Sequence, residues 1–171
     1  MAEALDPALP PALDTLTKQV LQEACERGLM LVTAESCTGG LLASLLTDIP
    51  GSSHAFERGF VTYTNEAKHE LLGVPMDVLE THGAVSEPAA RAMAEGALAR
   101  SHGHVAVSVT GFAEGSARRD EEAGLVHFAS ARTGRATLHR EKHFGDIGRA
   151  GVRLCCLEVA LDMMLERLNG Q

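Results

Sequence analysis

Four reactive side chains stand in a row at Glu35-Ser36-Cys37-Thr38, inside the stretch 33-TAESCTGG-40. A serine becomes a strong nucleophile only when a base takes its proton. The two glycines that follow leave bare backbone N–H groups at the start of a helix. Those groups, with the helix dipole, can hold an oxyanion or an anionic substrate group. Ser36 is therefore a candidate nucleophile, and Thr38, Gly39 and Gly40 are candidates for the oxyanion or substrate cradle. Two blander readings stand beside this one. Ser36 or Thr38 can be a simple N-cap, which spacing alone slightly favours. Gly39-Gly40 can belong to a phosphate loop, although neither G-x-G-x-x-G nor G-x-x-x-x-G-K-[ST] occurs. Cys37 ranks below Ser36, because no histidine is placed by sequence to pair with it. Glu35 can orient a partner or bond backbone at the helix start.

A base is available in a second cluster, 62-TYTNEAK-68. With Asn65 read as the N-cap, Lys68 is the third helical residue. There it faces the positive end of the dipole, which lowers its pKa. A neutral lysine is a competent general base, and serine–lysine pairs are a variant of the catalytic triad. Tyr63 is the only tyrosine, and its hydroxyl can relay a proton or orient the lysine. Taken singly, an exposed lysine and a core tyrosine are the commoner outcomes. The constellation carries more than its parts. A third polar pair, Thr110-Gly111, ends the apolar run 104-HVAVSVTG-111.

The elements that must position these clusters are legible as periodicities. Leu13, Leu16, Val20, Leu21 and Ala24 recur at helical spacing, with Gly28 as a stop. Residues 29-LMLVTA-34 read as a buried strand and 41-LLASLLTD-48 as a helix, so Ser36 lies at a strand-to-helix handover. A strand follows at 59-GFVTYT-64, then helices at 66–73, 76–83 and 87–101, the last capped by Ser86. Strands follow at 104–111, 125–132 and 136–144. A final helix, from about 147 to 168, carries Val152, Cys155, Cys156, Val159, Met163 and Met164. Strands separated by helices require crossovers, and the late hairpin requires antiparallel pairing. The reading is an α/β domain with a mixed, partly parallel sheet and helices on both faces. Chemistry in such sheets collects beyond strand C-termini, where all three polar clusters fall.

The 171 residues suit one domain, with residues 1–12 as a loose lead-in and 13–171 as the domain proper. A formal net charge of −8 argues against a broad nucleic-acid face. No apolar run is long enough to span a membrane, and the first residues lack a secretory pattern, so a cytoplasmic protein is expected. No C-x-x-C or H-E-x-x-H occurs, and neither a metal nor a cofactor is expected. Cys25, Cys155 and Cys156 read as small buried apolar residues. The Ala-rich helix 87–101 and the apolar last helix leave a face for a second copy, and a homodimer is expected.

The segments 33-TAESCTGGLLASLLTDIPGSS-53, 59-GFVTYTNEAKHELLGVP-75, 82-HGAVSEPAARAMAEGA-97 and 108-SVTGFA-113 together resemble the CinA C-terminal domain family, the nicotinamide-nucleotide amidases. The resemblance runs from about Leu13 to Leu168. It implies a three-layer α/β/α domain. It also implies a small-molecule nucleotide substrate: an amidohydrolase that converts nicotinamide mononucleotide to nicotinic acid mononucleotide and ammonia, in pyridine-nucleotide salvage. The family's serine falls on Ser36, its lysine on Lys68, its tyrosine on Tyr63 and the threonine of its T-G pair on Thr110. Two-domain relatives carry a further N-terminal domain, so a stand-alone amidase is expected. Two departures stand out. The family's Gly-Pro-Gly-rich loop after the T-G pair is here 113-AEGSARRDEEAG-124. The arginine of a G-D-R element falls on Arg149 in 144-FGDIGRAGVR-153, with one residue inserted after Phe144. Arg149 and the Arg118-Arg119 pair are the phosphate-anchor candidates. The departures also leave an alternative, a pyridine-nucleotide-binding module of the same fold without catalysis.

Overall fold

The structure is a computed structural model that describes residues 10–115 and 121–170. The chain runs α1 (Pro11–Glu26), β1 (Leu31–Glu35), α2 (Leu41–Thr47), a 3-10 turn (Ser52–His54) and β2 (Phe56–Val61). It continues with α3 (Asn65–Leu72), α4 (Met76–His82), α5 (Glu87–Ala99), β3 (Val105–Gly111), β4 (Leu125–Arg132), β5 (Arg135–His143) and α6 (Gly148–Leu168). The sheet order is β2-β1-β3-β4-β5. β1 is parallel to both of its neighbours, and β3, β4 and β5 are antiparallel in turn. The mixed sheet read from the sequence is the one formed.

Period-two alternation along the strands sends side chains to two helical layers. Leu31, Val105, Val107, Val109 and Phe128 face α1, α2 and α6, where they meet Val20, Leu42, Leu46, Leu157 and Leu161. Val32, Ala34 and Ala106 face the other way, onto Leu72, Leu79, Ala89, Met93 and Ala97 of α3, α4 and α5. The result is the three-layer α/β/α domain. β1 is buried along its whole length, so its C-terminal end delivers residues 35–38 into the interior edge of the sheet rather than to open solvent. Among the described residues, no helix is long and apolar enough to cross a membrane.

Several boundaries differ from the sequence reading. α1 starts at Pro11 rather than Leu13, since proline is tolerated in a first helical turn. β2 begins at Phe56 and ends at Val61, three residues earlier than expected at both ends. Its register with β1, from Leu31↔Phe56 to Glu35↔Val61, exhausts the partner strand, and the chain leaves the sheet at Thr62. The N-cap of α3 is Thr64, not Asn65: the Thr64 hydroxyl accepts the Ala67 N–H at 3.1 Å. Lys68 is thereby the fourth helical residue. The core stripe of α6 buries Val152, Cys156, Met163 and Met164 as expected and differs at its other positions. It also buries Leu157, Ala160 and Leu161 and leaves Cys155 and Val159 half-buried, while Cys25 on α1 is exposed.

The Ala-rich composition of α5 is explained by how closely α3 approaches it. A Cβ placed on Gly96 would stand 1.9 Å from the Leu72 carbonyl oxygen, a main-chain atom that cannot swing aside. Gly-to-Ala in a helix interior ordinarily stabilises by about 1 kcal/mol. Here the sign reverses. Gly96→Ala should destabilise by roughly 1–3 kcal/mol, as overpacking does, measured by urea unfolding. A stabilised variant would show that α3 and α5 are free to part.

Candidate active site

The end of β1 and the start of α2 are joined by a turn that only glycine permits. Gly39 and Gly40 have φ of +61° and +94°, in the left-handed region. Neither Ser36 nor Thr38 caps α2 through its side chain. The cap comes from the strand instead. The buried Glu35 carboxylate accepts the N–H groups of Gly40 (3.1 Å), Leu42 (3.0 Å) and Ala43 (2.8 Å). A carboxylate at a helix N-terminus satisfies orphan donors and complements the dipole. Glu35 is therefore committed to the backbone and is not a counter-ion for Lys68.

With Glu35 turned into the helix, Ser36 is left at the sheet edge. It is 8% exposed, and its N–H is held by the Val109 carbonyl at 3.0 Å. From α3, Lys68 comes in beneath it. Lys68 is 1% exposed, and its Nζ lies 3.0 Å from Ser36 Oγ, 3.0 Å from the Thr62 carbonyl oxygen and 3.1 Å from that of Tyr63. This is why β2 ends early: the residues past its end turn their carbonyls to the lysine. Carbonyls only accept. In the amine form, two N–H bonds go to Thr62 and Tyr63 and the lone pair is left for the Ser36 hydroxyl. In the ammonium form, the third N–H goes to Ser36 Oγ. Burial pushes the Lys68 pKa from 10.5 down to about 8, against a smaller upward pull from the Cys37 sulfur. The helix dipole invoked from sequence is not needed for that shift.

The other predicted residues sort into neighbours and bystanders. A cavity of about 300 Å³ opens over the pair, lined among others by Cys37, Tyr63, Thr110, Gly111, Glu114 and Arg149. The Thr110 hydroxyl donates to the Ala84 carbonyl at 2.8 Å, tying the end of β3 to the loop before α5. Tyr63 serves the lysine through its carbonyl. Its side chain is 70% exposed beside Arg149, and among the described residues no hydrogen bond joins its hydroxyl to Lys68 or Ser36. The amides expected at Gly39 and Gly40 are already engaged, by the Ser36 carbonyl (3.1 Å) and by Glu35. Among the described residues, the Cys37 and Thr38 amides of this turn donate to no main-chain carbonyl. The Thr38 hydroxyl is buried and likewise makes no hydrogen bond there. Arg149 stands at the mouth and pairs with Glu114. Arg118-Arg119 lies outside the described residues.

Two features escaped sequence reading. Arg153 on α6 donates from Nε to the Cys37 carbonyl at 2.9 Å and fixes the serine turn from the opposite layer. The only sequence signal for it is an arginine one helical turn beyond Arg149. Cys37 itself is buried and belongs to the core cluster that holds Cys156. A hydrogen bond from the Cys156 thiol holds the Cys37 pKa down, and burial partly opposes this. Among the described residues, no three His, Cys, Asp or Glu side chains are grouped to hold a metal.

A family model described as the CinA C-terminal domain matches residues 13–168. The nicotinamide-nucleotide amidohydrolase PncC of Escherichia coli (strain K12) is 45% identical over 154 residues, which make up 89% of this chain and 92% of that protein. A CinA-like protein of Syntrophus aciditrophicus is 46% identical over 154 residues, or 90% of this chain but 36% of that protein. Five of the curated relatives, named CinA-like or putative competence-damage inducible proteins, are longer, and the chain spans 29% to 38% of their length. The crystal structure of the competence/damage inducible protein CihA from Agrobacterium tumefaciens superposes with a TM-score of 0.90 at 47% identity, covering 94% of this chain and 98% of that one.

A lysine depressed from 10.5 to about 8 leaves a stability signature. Between those values the unfolded chain holds a proton that the native chain has released, so stability must rise with pH across the window. Urea unfolding of wild type and Lys68→Met at pH 7.5 and 9.5 isolates the contribution. The difference should move in favour of wild type by about 2 kcal/mol, from about 1.36 kcal/mol per pKa unit. Parallel profiles would mean that Lys68 is not depressed.

Proposed function

For a chain that belongs to the CinA C-terminal domain family, with this serine and lysine beneath its cavity, we propose an amidohydrolase acting on the carboxamide of nicotinamide mononucleotide. The products are nicotinic acid mononucleotide and ammonia, a reaction of pyridine-nucleotide salvage. The observation that carries the proposal is the buried Lys68 Nζ at 3.0 Å from Ser36 Oγ. The similarity to a nicotinamide-nucleotide amidohydrolase along 92% of that protein's length supports the substrate class.

Lys68, as the amine, takes the Ser36 proton while Oγ attacks the carboxamide carbon. The transfer is direct and needs no relay through the Tyr63 hydroxyl. Charge develops on the carboxamide oxygen, and the Cys37 and Thr38 amides are the donors left to receive it. In a nucleophile turn, the residue after the nucleophile supplies such a donor. Collapse of the tetrahedral adduct breaks the C–N bond, and Lys68 returns the proton to the departing nitrogen, releasing ammonia. Water then enters and gives a proton to Lys68 as its oxygen attacks the acyl carbon. The second collapse breaks the ester and restores the Ser36 hydroxyl with the Lys68 proton. Thr62 and Tyr63 hold Nζ in both protonation states, so little reorganises between steps. Thr110 and Gly111 wall the ring side of the cavity, and Arg149 waits at the mouth for the phosphate.

The test is ammonia release from nicotinamide mononucleotide. Ser36→Ala should abolish it. Lys68→Arg keeps the charge but stays protonated, and should lower kcat by ~10²–10⁴, the usual general-base contribution. In wild type, kcat/KM should rise with pH through about 8, where the lysine becomes neutral. Wild-type turnover no greater than that of Ser36→Ala would overturn the amidase. A Lys68→Arg variant retaining more than about a tenth of kcat would reject the lysine as base, being well below the expected loss.

A further inference from the structure

Glu114 lines the cavity, yet the mechanism above leaves it without a role. The Arg149 Nε and Nη2 both donate to a single Glu114 oxygen, Oε2, at 3.2 and 2.9 Å. One oxygen gripped by a guanidinium edge is also how an oxygen of a phosphate would sit. The Glu114 carboxylate is thus the counter-ion of the cation at the mouth, and it raises the Arg149 pKa. The two side chains are 46% and 58% exposed. An ion pair so open to water is weak and exchangeable.

We propose that Glu114 is a built-in competitor for Arg149: it occupies the anion-binding edge until a substrate phosphate displaces it, and thereby sets how strongly the site prefers phosphorylated over unphosphorylated pyridine compounds. The inference rests on the amidase reading for its substrate, but the competition concerns the phosphate alone. A phosphate arriving at Arg149 must break the ion pair and then lie near the released carboxylate, so Glu114 weakens phosphate binding twice. A ligand without phosphate meets neither cost. Glu114→Gln keeps the side-chain shape and an acceptor oxygen while removing the charge.

Calorimetric titration in a Ser36→Ala background, where nothing turns over, tests this at low ionic strength. The ligands are nicotinamide mononucleotide, nicotinamide riboside and ribose 5-phosphate. Adding Glu114→Gln should tighten the mononucleotide and ribose 5-phosphate by about fivefold, the scale of an exposed ion pair, and leave the riboside within about 1.5-fold. Replacing Arg149 by Met as well should erase the gain. Unchanged or weakened phosphate ligands, ribose 5-phosphate bound by neither form, or an equal gain for the riboside would overturn the proposal. Failure of the amidase reading alone looks different: neither pyridine compound binds, while ribose 5-phosphate still gains through Arg149, and that outcome supports the competition.

Discussion

An ammonium group taken out of water is costly unless it is given acceptors or sheds its proton. Lys68 meets that constraint with two main-chain carbonyls and one hydroxyl, and little else. No carboxylate hydrogen-bonds to it among the described residues. The arrangement leaves the group poised, with enough acceptors to keep the side chain in place in either state and too little negative charge to hold the proton firmly. Much of the surrounding architecture follows from supplying those acceptors. β2 stops at Val61 so that Thr62 and Tyr63 turn their carbonyls inward, and Thr64 caps α3 so that the helix projects Lys68 back under β1.

The second requirement of the proposed mechanism is that Ser36 does not move. Ser36 sits on a turn with two left-handed glycines, which would be floppy if left alone. It is clamped by three contacts. The Val109 carbonyl holds its N–H from the sheet, the Glu35 carboxylate binds the start of α2, and Arg153 reaches across from α6 to the Cys37 carbonyl. Glu35 matters here through position rather than charge transfer. By satisfying the α2 amides it removes them from competition and leaves the earlier amides of the turn for an oxyanion. The acid next to the serine is thus a structural anchor.

Much of this was legible in the residue order. Buried β1, the small-residue α5 and the long apolar α6 announce themselves by period, and the mixed sheet follows from helices between some strands and a hairpin between others. Ser36 and Lys68, which the structure brings together, stand out in sequence because hydroxyl and amine fall at strand ends, where open α/β sheets place chemistry. What stayed hidden depends on side-chain direction and on contacts distant in sequence. Whether Glu35 points to the helix or the lysine is one rotamer's difference. Asn65 and Thr64 are both good caps, and only the end of the β1–β2 register selects the threonine. Tyr63 draws attention as a lone tyrosine, yet the atom that reaches Lys68 is its carbonyl, which every residue has. Arg153 lies 116 residues from its partner, and no local pattern marks it.

Lys68 can act as a base only if it sheds its proton near pH 8 rather than near 10.5, and its titration can be watched directly. The chain has three lysines, Lys18, Lys68 and Lys142, so carbon-13 labelling at lysine Cε gives a sparse NMR spectrum in which the signal lost in Lys68→Arg identifies Lys68. Its chemical shift should titrate with a midpoint near 8. A midpoint at the ordinary lysine value of about 10.4 would contradict the account, because the buried group beside Ser36 would then be an ammonium at working pH and no base.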